Sequence, residues 1–183
     1  MPRIVLFLAA LFPLAASAAD RFTLQSPDVK PNAPIREAQV YKGFGCDGGN
    51  VSPALAWKNP PTGTKSYAIT VYDPDAPTGS GWWHWVVFNI PATVTSLPAG
   101  AGNPAAGKAP PGVVQSVTDF GAPGYGGPCP PKSDRPHRYI FTVHALKVDR
   151  LDADDKAMPA LVGFMINSNR LDKATLTATY GRK

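Results

Sequence analysis

Two stretches of this sequence carry side chains that could do chemistry together. The first is Tyr72-Asp73-Pro74-Asp75-Ala76-Pro77-Thr78-Gly79-Ser80-Gly81-Trp82-Trp83-His84-Trp85; the second is His137-Arg138-Tyr139. Asp73 and Asp75 flank a proline, which fixes its own φ and lacks a backbone donor, so the pair projects from a stiff corner. Paired carboxylates can do acid–base work, bind a metal, cap turns or orient histidines. The last asks least of the chain: an aspartate that fixes the tautomer of His84 or His137 leaves an N–H directed into a pocket. Such N–H groups, the Tyr139 hydroxyl and backbone N–H groups of a glycine-rich loop would bind phosphate oxygens. A carboxylate beside a phosphate is favourable only if it is engaged with a histidine, or if the ligand also carries an ammonium.

Strands must position these groups. The runs Ser66–Tyr72 and Trp82–Ile90 lead into and out of the aspartate corner, and His137–Val148 is a third, longer run. Side chains alternate across a strand. Alternation predicts Trp82, His84, Val86 and Phe88 on one face of the second run, with Trp83, Trp85 and Val87 on the other. On the third run His137, Tyr139, Phe141 and Val143 share a face, opposite Arg138, Ile140, Thr142 and His144. His84, His137 and Tyr139 converge where the two strand starts lie at one end of the fold. Taken singly these residues read otherwise. An aspartate in a proline-rich turn is ordinarily a cap, Trp83 and Trp85 are core, and His144 is packing or surface. Only the combination lifts Asp73, Asp75, His84, His137 and Tyr139 above that.

The remaining chain supplies turns and short strands. Its 183 residues fit one domain with a sizeable core, and 21 prolines and 17 glycines favour strands and turns over helices. Further short strands are predicted at Phe22–Ser26, Gln39–Tyr41, Ser52–Trp57, Val113–Val117 and Ala174–Tyr180. One helix is predicted over Pro159–Ser168, with Met158, Leu161, Val162, Met165 and Ile166 at helical spacing and the proline in its first turn. Loops fill 97–112 and 119–136. Many strands with long Pro/Gly connections and one late helix make a mostly β, antiparallel sandwich.

Residues 1–18 read as a signal peptide: a basic start at Arg3, an apolar run from Ile4 to Ala16, and the small-x-small signal Ala16-Ser17-Ala18. The apolar run is short for a membrane span. The mature domain then begins at Ala19 or Asp20 and runs to Lys183, with a periplasmic or secreted address and no transmembrane segment. The formal charge of +5, or +4 without Arg3, is mild and spread along the chain, so no nucleic-acid groove is expected. In an exported protein the two cysteines, Cys46 and Cys129, favour a bridge over two free thiols. Neither has a second Cys or His at zinc-ligand spacing.

The motifs resemble a known family. Asp73-Pro-Asp75-Ala-Pro77, Trp82-x-His84 with Val86-Val87-x-Asn89, Gly127-Pro128-x-Pro-Pro131 and His137-Arg-Tyr139 are similar to those of the phosphatidylethanolamine-binding proteins, also called Raf kinase inhibitor proteins. The wording is that of the bacterial branch, and the likeness runs from about Phe22 to Tyr180. The resemblance implies a Greek-key-like β-sandwich with a small pocket for phosphate, carboxylate or a phosphoethanolamine-like headgroup. Carried over by motif, the pocket would comprise Asp73, Asp75, Pro77, Trp82, His84, His137 and Tyr139, with backbone contacts from Gly127, Pro128 and Cys129. A Cys46–Cys129 bridge would staple that loop to an earlier one. The chain ends soon after its last strand, without the C-terminal helix that lines the pocket in animal members, which implies a more open pocket. The resemblance also implies a homodimer. Kinase inhibition belongs to eukaryotic members, so a protein target is an expectation without a name. No cofactor or metal is expected, and the expectation is a binding protein, not an enzyme. The alternative is a hydrolase using the Asp/His cluster, although the chain has no Gly-x-Ser-x-Gly elbow and no His-Glu-x-x-His.

Overall fold

The computed structural model of the protein describes residues 21–182. The signal peptide read at residues 1–18 lies outside the described residues. The strands, in chain order, are β1 (Thr23–Gln25), β2 (Lys42–Gly43), β3 (Cys46–Asp47), β4 (Leu55–Lys58), β5 (Ser66–Asp73), β6 (Trp82–Pro91), β7 (Ser96–Leu97), β8 (Val114–Gln115), β9 (His137–Leu146) and, after the helix α1 (Pro159–Asn169), β10 (Arg170–Tyr180). They form a five-stranded sheet in the order β10-β9-β5-β6-β8, a three-stranded sheet β1-β4-β7 and the small hairpin β2-β3. All of these strand pairs are antiparallel.

The five-stranded sheet is covered on both faces, which is why β5 and β9 read as nearly continuous apolar and β-branched runs. One face carries Ile69, Val71, Trp85, Val87, Phe141 and Val143 against Leu55, Trp57 and Leu97 of the smaller sheet. The other carries Ala68, Val86, Phe88 and Leu146 beneath Val162 and Ile166 of the helix. The mostly β, antiparallel fold with one late helix is as expected. Edge strand β10 is covered in turn: Asn32 and Ile35 donate to the Thr177 and Thr179 carbonyls, and the Thr179 N–H returns to Ala33. The proline-rich lead-in thereby occupies an edge that would otherwise invite another strand.

Three local expectations change. Gln39–Tyr41 is no strand: a 3-10 turn occupies Glu37–Gln39 and the Tyr41 N–H goes to the Pro128 carbonyl, so ladder pairing starts only at Lys42. In α1 the buried residues are Pro159, Val162 and Ile166, while Met158 and Leu161 are exposed. The helix meets the sheet along one narrow row, and residues displaced from that row clear the surface.

The third change concerns β6. Its register against β5 slips twice: Val71 pairs with Trp85 but Tyr72 with Trp83, and Tyr67 pairs with Ile90 but Ile69 with Val87. His84 is thus left over in a β-bulge at one end, and Asn89, with φ 60°, lies within the slip at the other. A bulge adds one residue and inverts the alternation beyond it. Trp83 therefore joins Val86 and Phe88 on the helix side. His84 does not share the face of Val86 and Phe88 as strict alternation predicted; the bulge turns it toward Tyr139.

Candidate functional site

The bulge, the aspartate corner and the start of β9 meet at one end of the large sheet. They enclose a cavity of about 220 Å³ lined by Asp73, Ala76, Pro77, Thr78, Trp82, His84, His137 and Tyr139, with Phe44, Phe120, Cys129, Pro130 and Pro131 at its rim. That is smaller than the ~300–1,000 Å³ of drug-sized pockets and suits a small ligand. Asp73, His84, His137 and Tyr139 are all buried.

Each polar group has a defined state. Asp73 uses both oxygens: Oδ1 accepts the Asp75 N–H at 2.8 Å, and Oδ2 accepts His137 Nδ1–H at 2.8 Å. It therefore orients His137, the role read from sequence, and has no free oxygen for a base. His137 Nε2 faces the half-exposed carboxylate of Asp134 at 3.3 Å. A ring protonated on both nitrogens satisfies both carboxylates, while a neutral ring satisfies only one.

His84 is oriented by backbone and not by an aspartate. Nδ1 lies 2.7 Å from the Gly126 carbonyl, and the Gly126 N–H returns to the His84 carbonyl at 2.8 Å. A carbonyl only accepts, so Nδ1 carries the hydrogen. Burial pushes the His84 pKa down to about 4, against the opposing pull of that carbonyl and of Asp73. At neutral pH the ring is uncharged and Nε2 is a bare acceptor, not the N–H donor expected from sequence. The rings of His84 and Tyr139 meet edge to face, with centroids 5.1 Å apart. Burial, reinforced by Asp73, raises the Tyr139 hydroxyl pKa far enough to keep it protonated. That hydroxyl bonds to no other described residue, so it is a donor available to a ligand.

Asp75 does not line the cavity. Its carboxylate takes Arg138 Nε and Nη2 at 2.8 Å each, the Arg138 N–H at 2.9 Å and Arg135 Nη2 at 2.9 Å. The Arg138 guanidinium, with its N–H and Arg135, holds the carboxyl well below the usual carboxylate range. Asp75 thus ties the β5–β6 corner to the start of β9; it acts on the cavity by placing His137 and, through its N–H, Asp73.

Gly127 and Pro128 are also outside the cavity. The Gly127 N–H goes to Asn50 Oδ1 at 2.8 Å, so it offers a ligand nothing. Gly127 is required for close approach, since a Cβ there would lie 2.0 Å from the Gln39 carbonyl oxygen. The Cys46–Cys129 disulfide is formed, with Cα atoms 6.0 Å apart, and joins this loop to hairpin β2-β3. Trp85 is core, its Nε1–H on Gln115 Oε1 at 2.8 Å. His144 is buried against Thr70, as packing.

Sequence reasoning missed Asn50, Phe44, Phe120, Asp134 and Arg182. Arg182 reaches across the rim, donating to the Gly45 carbonyl at 2.8 Å and the Pro130 carbonyl at 3.3 Å. Asn50, Phe44, Phe120 and Arg182 act through contacts distant in sequence, whereas Asp134 lies three residues before His137 in a stretch that reads only as loop. Among the described residues no cluster of three or more His, Cys, Asp or Glu could hold a metal ion.

The family model described as phosphatidylethanolamine-binding protein matches residues 25–181, nearly all of the described chain. The chain belongs to the phosphatidylethanolamine-binding protein family. The protein YbcL of Escherichia coli is 51% identical over 177 residues, covering 97% of this chain and 96% of that one. YbhB of the same organism is 50% identical over 157 residues, covering 86% and 98%. The crystal structure of YbcL, described there as a new member of the mammalian PEBP family, superposes with a TM-score of 0.87 at 52% identity, over 88% of this chain and 99% of that chain. A phosphatidylethanolamine-binding protein homologue from Chlamydia trachomatis superposes at 0.74 with 28% identity, over 90% and 99%. Family membership and the mostly β, antiparallel fold therefore stand on sequence and structure together.

Proposed function

We propose that this protein is an exported binding protein whose cavity holds a small anion: a phosphoryl or carboxylate group, headgroups of the phosphoethanolamine kind included. One observation carries the reading. Tyr139, His137 and His84 line one buried space, Asp73 is engaged on both oxygens, and the half-exposed Asp134 faces His137 Nε2 at 3.3 Å, where a ligand anion would replace it. His84 Nε2 suits a ligand oxygen that still carries a hydrogen, as a phosphate monoanion does. Binding is favoured over catalysis because Asp73 and Asp75 are both locked in hydrogen bonds and neither is poised to take a proton. Export is supported by the leader-like residues 1–18, and by a 38% identical relative from Mycobacterium tuberculosis described as a lipoprotein, LppC. No helix among the described residues is long and apolar enough to cross a membrane.

Calorimetric titration of inorganic phosphate and phosphoethanolamine tests this. His84→Ala or His137→Ala should weaken binding at least tenfold, about 1.4 kcal/mol. Identical curves for the wild type and both variants would remove the basis for the reading.

A further inference from the structure

The rim is built for more than an anion. Hairpin β2-β3 closes through Phe44 and Gly45, with Gly43 opposite Cys46. Both loop residues have positive φ, 53° and 77°, the signature of the tight hairpin turn that normally takes Asn-Gly. A phenylalanine there is strained, and strained residues cluster at ligand-contacting sites. Phe44 is also 67% exposed, the wrong place for a ring that only fills space. Yet it is held firmly: the adjoining Cys46 is bridged to Cys129, and Arg182 grips the carbonyls of Phe44 and Gly45.

The ring lies at the mouth of the cavity. It stacks on Phe120 at 14° with centroids 5.8 Å apart, and Phe120 in turn meets Trp82 and His84 edge to face at 5.5 and 5.4 Å. A continuous aromatic surface thus runs from the anion cavity outward. A bare phosphate would touch only the polar floor and gain nothing from these rings. Asp73 and Asp75 are both engaged in hydrogen bonds, and the half-exposed Asp134 faces His137 Nε2 at 3.3 Å.

We infer that Phe44 and Phe120 form a subsite for a flat apolar group attached to the bound anion, so that the preferred ligand is an aryl phosphate or its like, with Phe44 setting the preference. This rests on the anion-site reading above.

The test compares phenyl phosphate, phosphoethanolamine and inorganic phosphate by calorimetry on the disulfide-bonded protein. The wild type should prefer phenyl phosphate to inorganic phosphate roughly five- to tenfold, the worth of one aromatic pair. Phe44→Asn restores the residue such a turn favours, so it should fold, and it should erase that preference. Phe44→Tyr should keep it. A wild type that binds phosphate without preferring phenyl phosphate overturns the inference alone, as does a preference for phosphoethanolamine over phenyl phosphate or one that survives in Phe44→Asn. Binding of none of the three overturns both the inference and the anion-site reading.

Discussion

Ligand binding should consume a proton, and the structure sets the size of the effect. His84 carries its hydrogen on Nδ1 and presents Nε2 without one. With its pKa near 4, protonating the free ring at pH 7 costs about 4 kcal/mol, at 1.36 kcal/mol per unit. A phosphate monoester has a second pKa of about 6. Keeping its last proton at pH 7 therefore costs only about 1.4 kcal/mol. The ligand-borne proton is the cheaper route by more than 2 kcal/mol. By either route the complex holds one proton more than the free partners at high pH. Affinity for a monoester should fall only about twofold from pH 5 to 6 and roughly fiftyfold from pH 6 to 8, as the monoanion is depleted. Calorimetry in two buffers of different ionisation enthalpy reads the proton directly: uptake approaching one per site at pH 8. His84→Gln, whose side chain can donate without titrating, should flatten the profile. An affinity constant from pH 6 to 8, or rising with pH, would refute the assignment of a neutral, Nδ1-protonated His84 in the cavity.

Other consequences follow from the same geometry. Burial lowers His84 to about 4 and His144 to about 3, from 6.5 in the unfolded chain. The unfolded state therefore binds more protons below pH 6.5. This stability is present above 6.5 and lost as pH falls toward 4, about 3 kcal/mol for each histidine by that point. Urea melts at pH 7 and 4 should show the loss, and His144→Gln should shrink it. Asp75→Asn breaks the clamp on Arg138 and Arg135; because both arginines are largely exposed, the cost in denaturant melts should be moderate, ~1–2 kcal/mol. Reducing Cys46–Cys129 should lower stability by up to ~4–5 kcal/mol for a loop of this length, with weaker ligand binding as the Phe44 and Pro130 rim is released. Asp134→Ala removes a negative charge that competes for His137 Nε2, and should tighten phosphate binding about two- to fivefold.

What could be read from the sequence depended on how regular each strand is. β9 runs without interruption against β5, so alternation placed His137, Tyr139, Phe141 and Val143 together correctly. β6 carries bulges, and a bulge has no local signature when its residues are Trp-Trp-His-Trp; the face of His84 was therefore misassigned, although the residue does line the cavity. Asp73 was legible as the partner of a histidine because the corner and β9 had to meet. Asp75 was not, since its arginines also belong to the His137 segment and compete for it. The glycines of the 124–131 loop look like anion-binding backbone, but Gly127 packs against the Gln39–Tyr41 backbone and the Asn50 side chain, Gly126 against the Phe120 ring and Gly124 against Gly102 and Pro104. The strained Phe44 could not be seen at all, because the turn it occupies is closed by two-residue strands too short to leave a pattern.

The central claim is that His84, His137 and Tyr139 form an anion site. With only three histidines in the chain, nitrogen-15 NMR of the imidazoles during a phosphate titration tests it most directly. In the free protein at pH 7 His84 should show a protonated Nδ1 and a bare Nε2. On adding phosphate, the ring nitrogens of His84 and His137 should shift and saturate together, while those of His144 stay fixed. Resonances of His84 and His137 that do not move at saturating phosphate, or move no more than those of His144, would contradict the account.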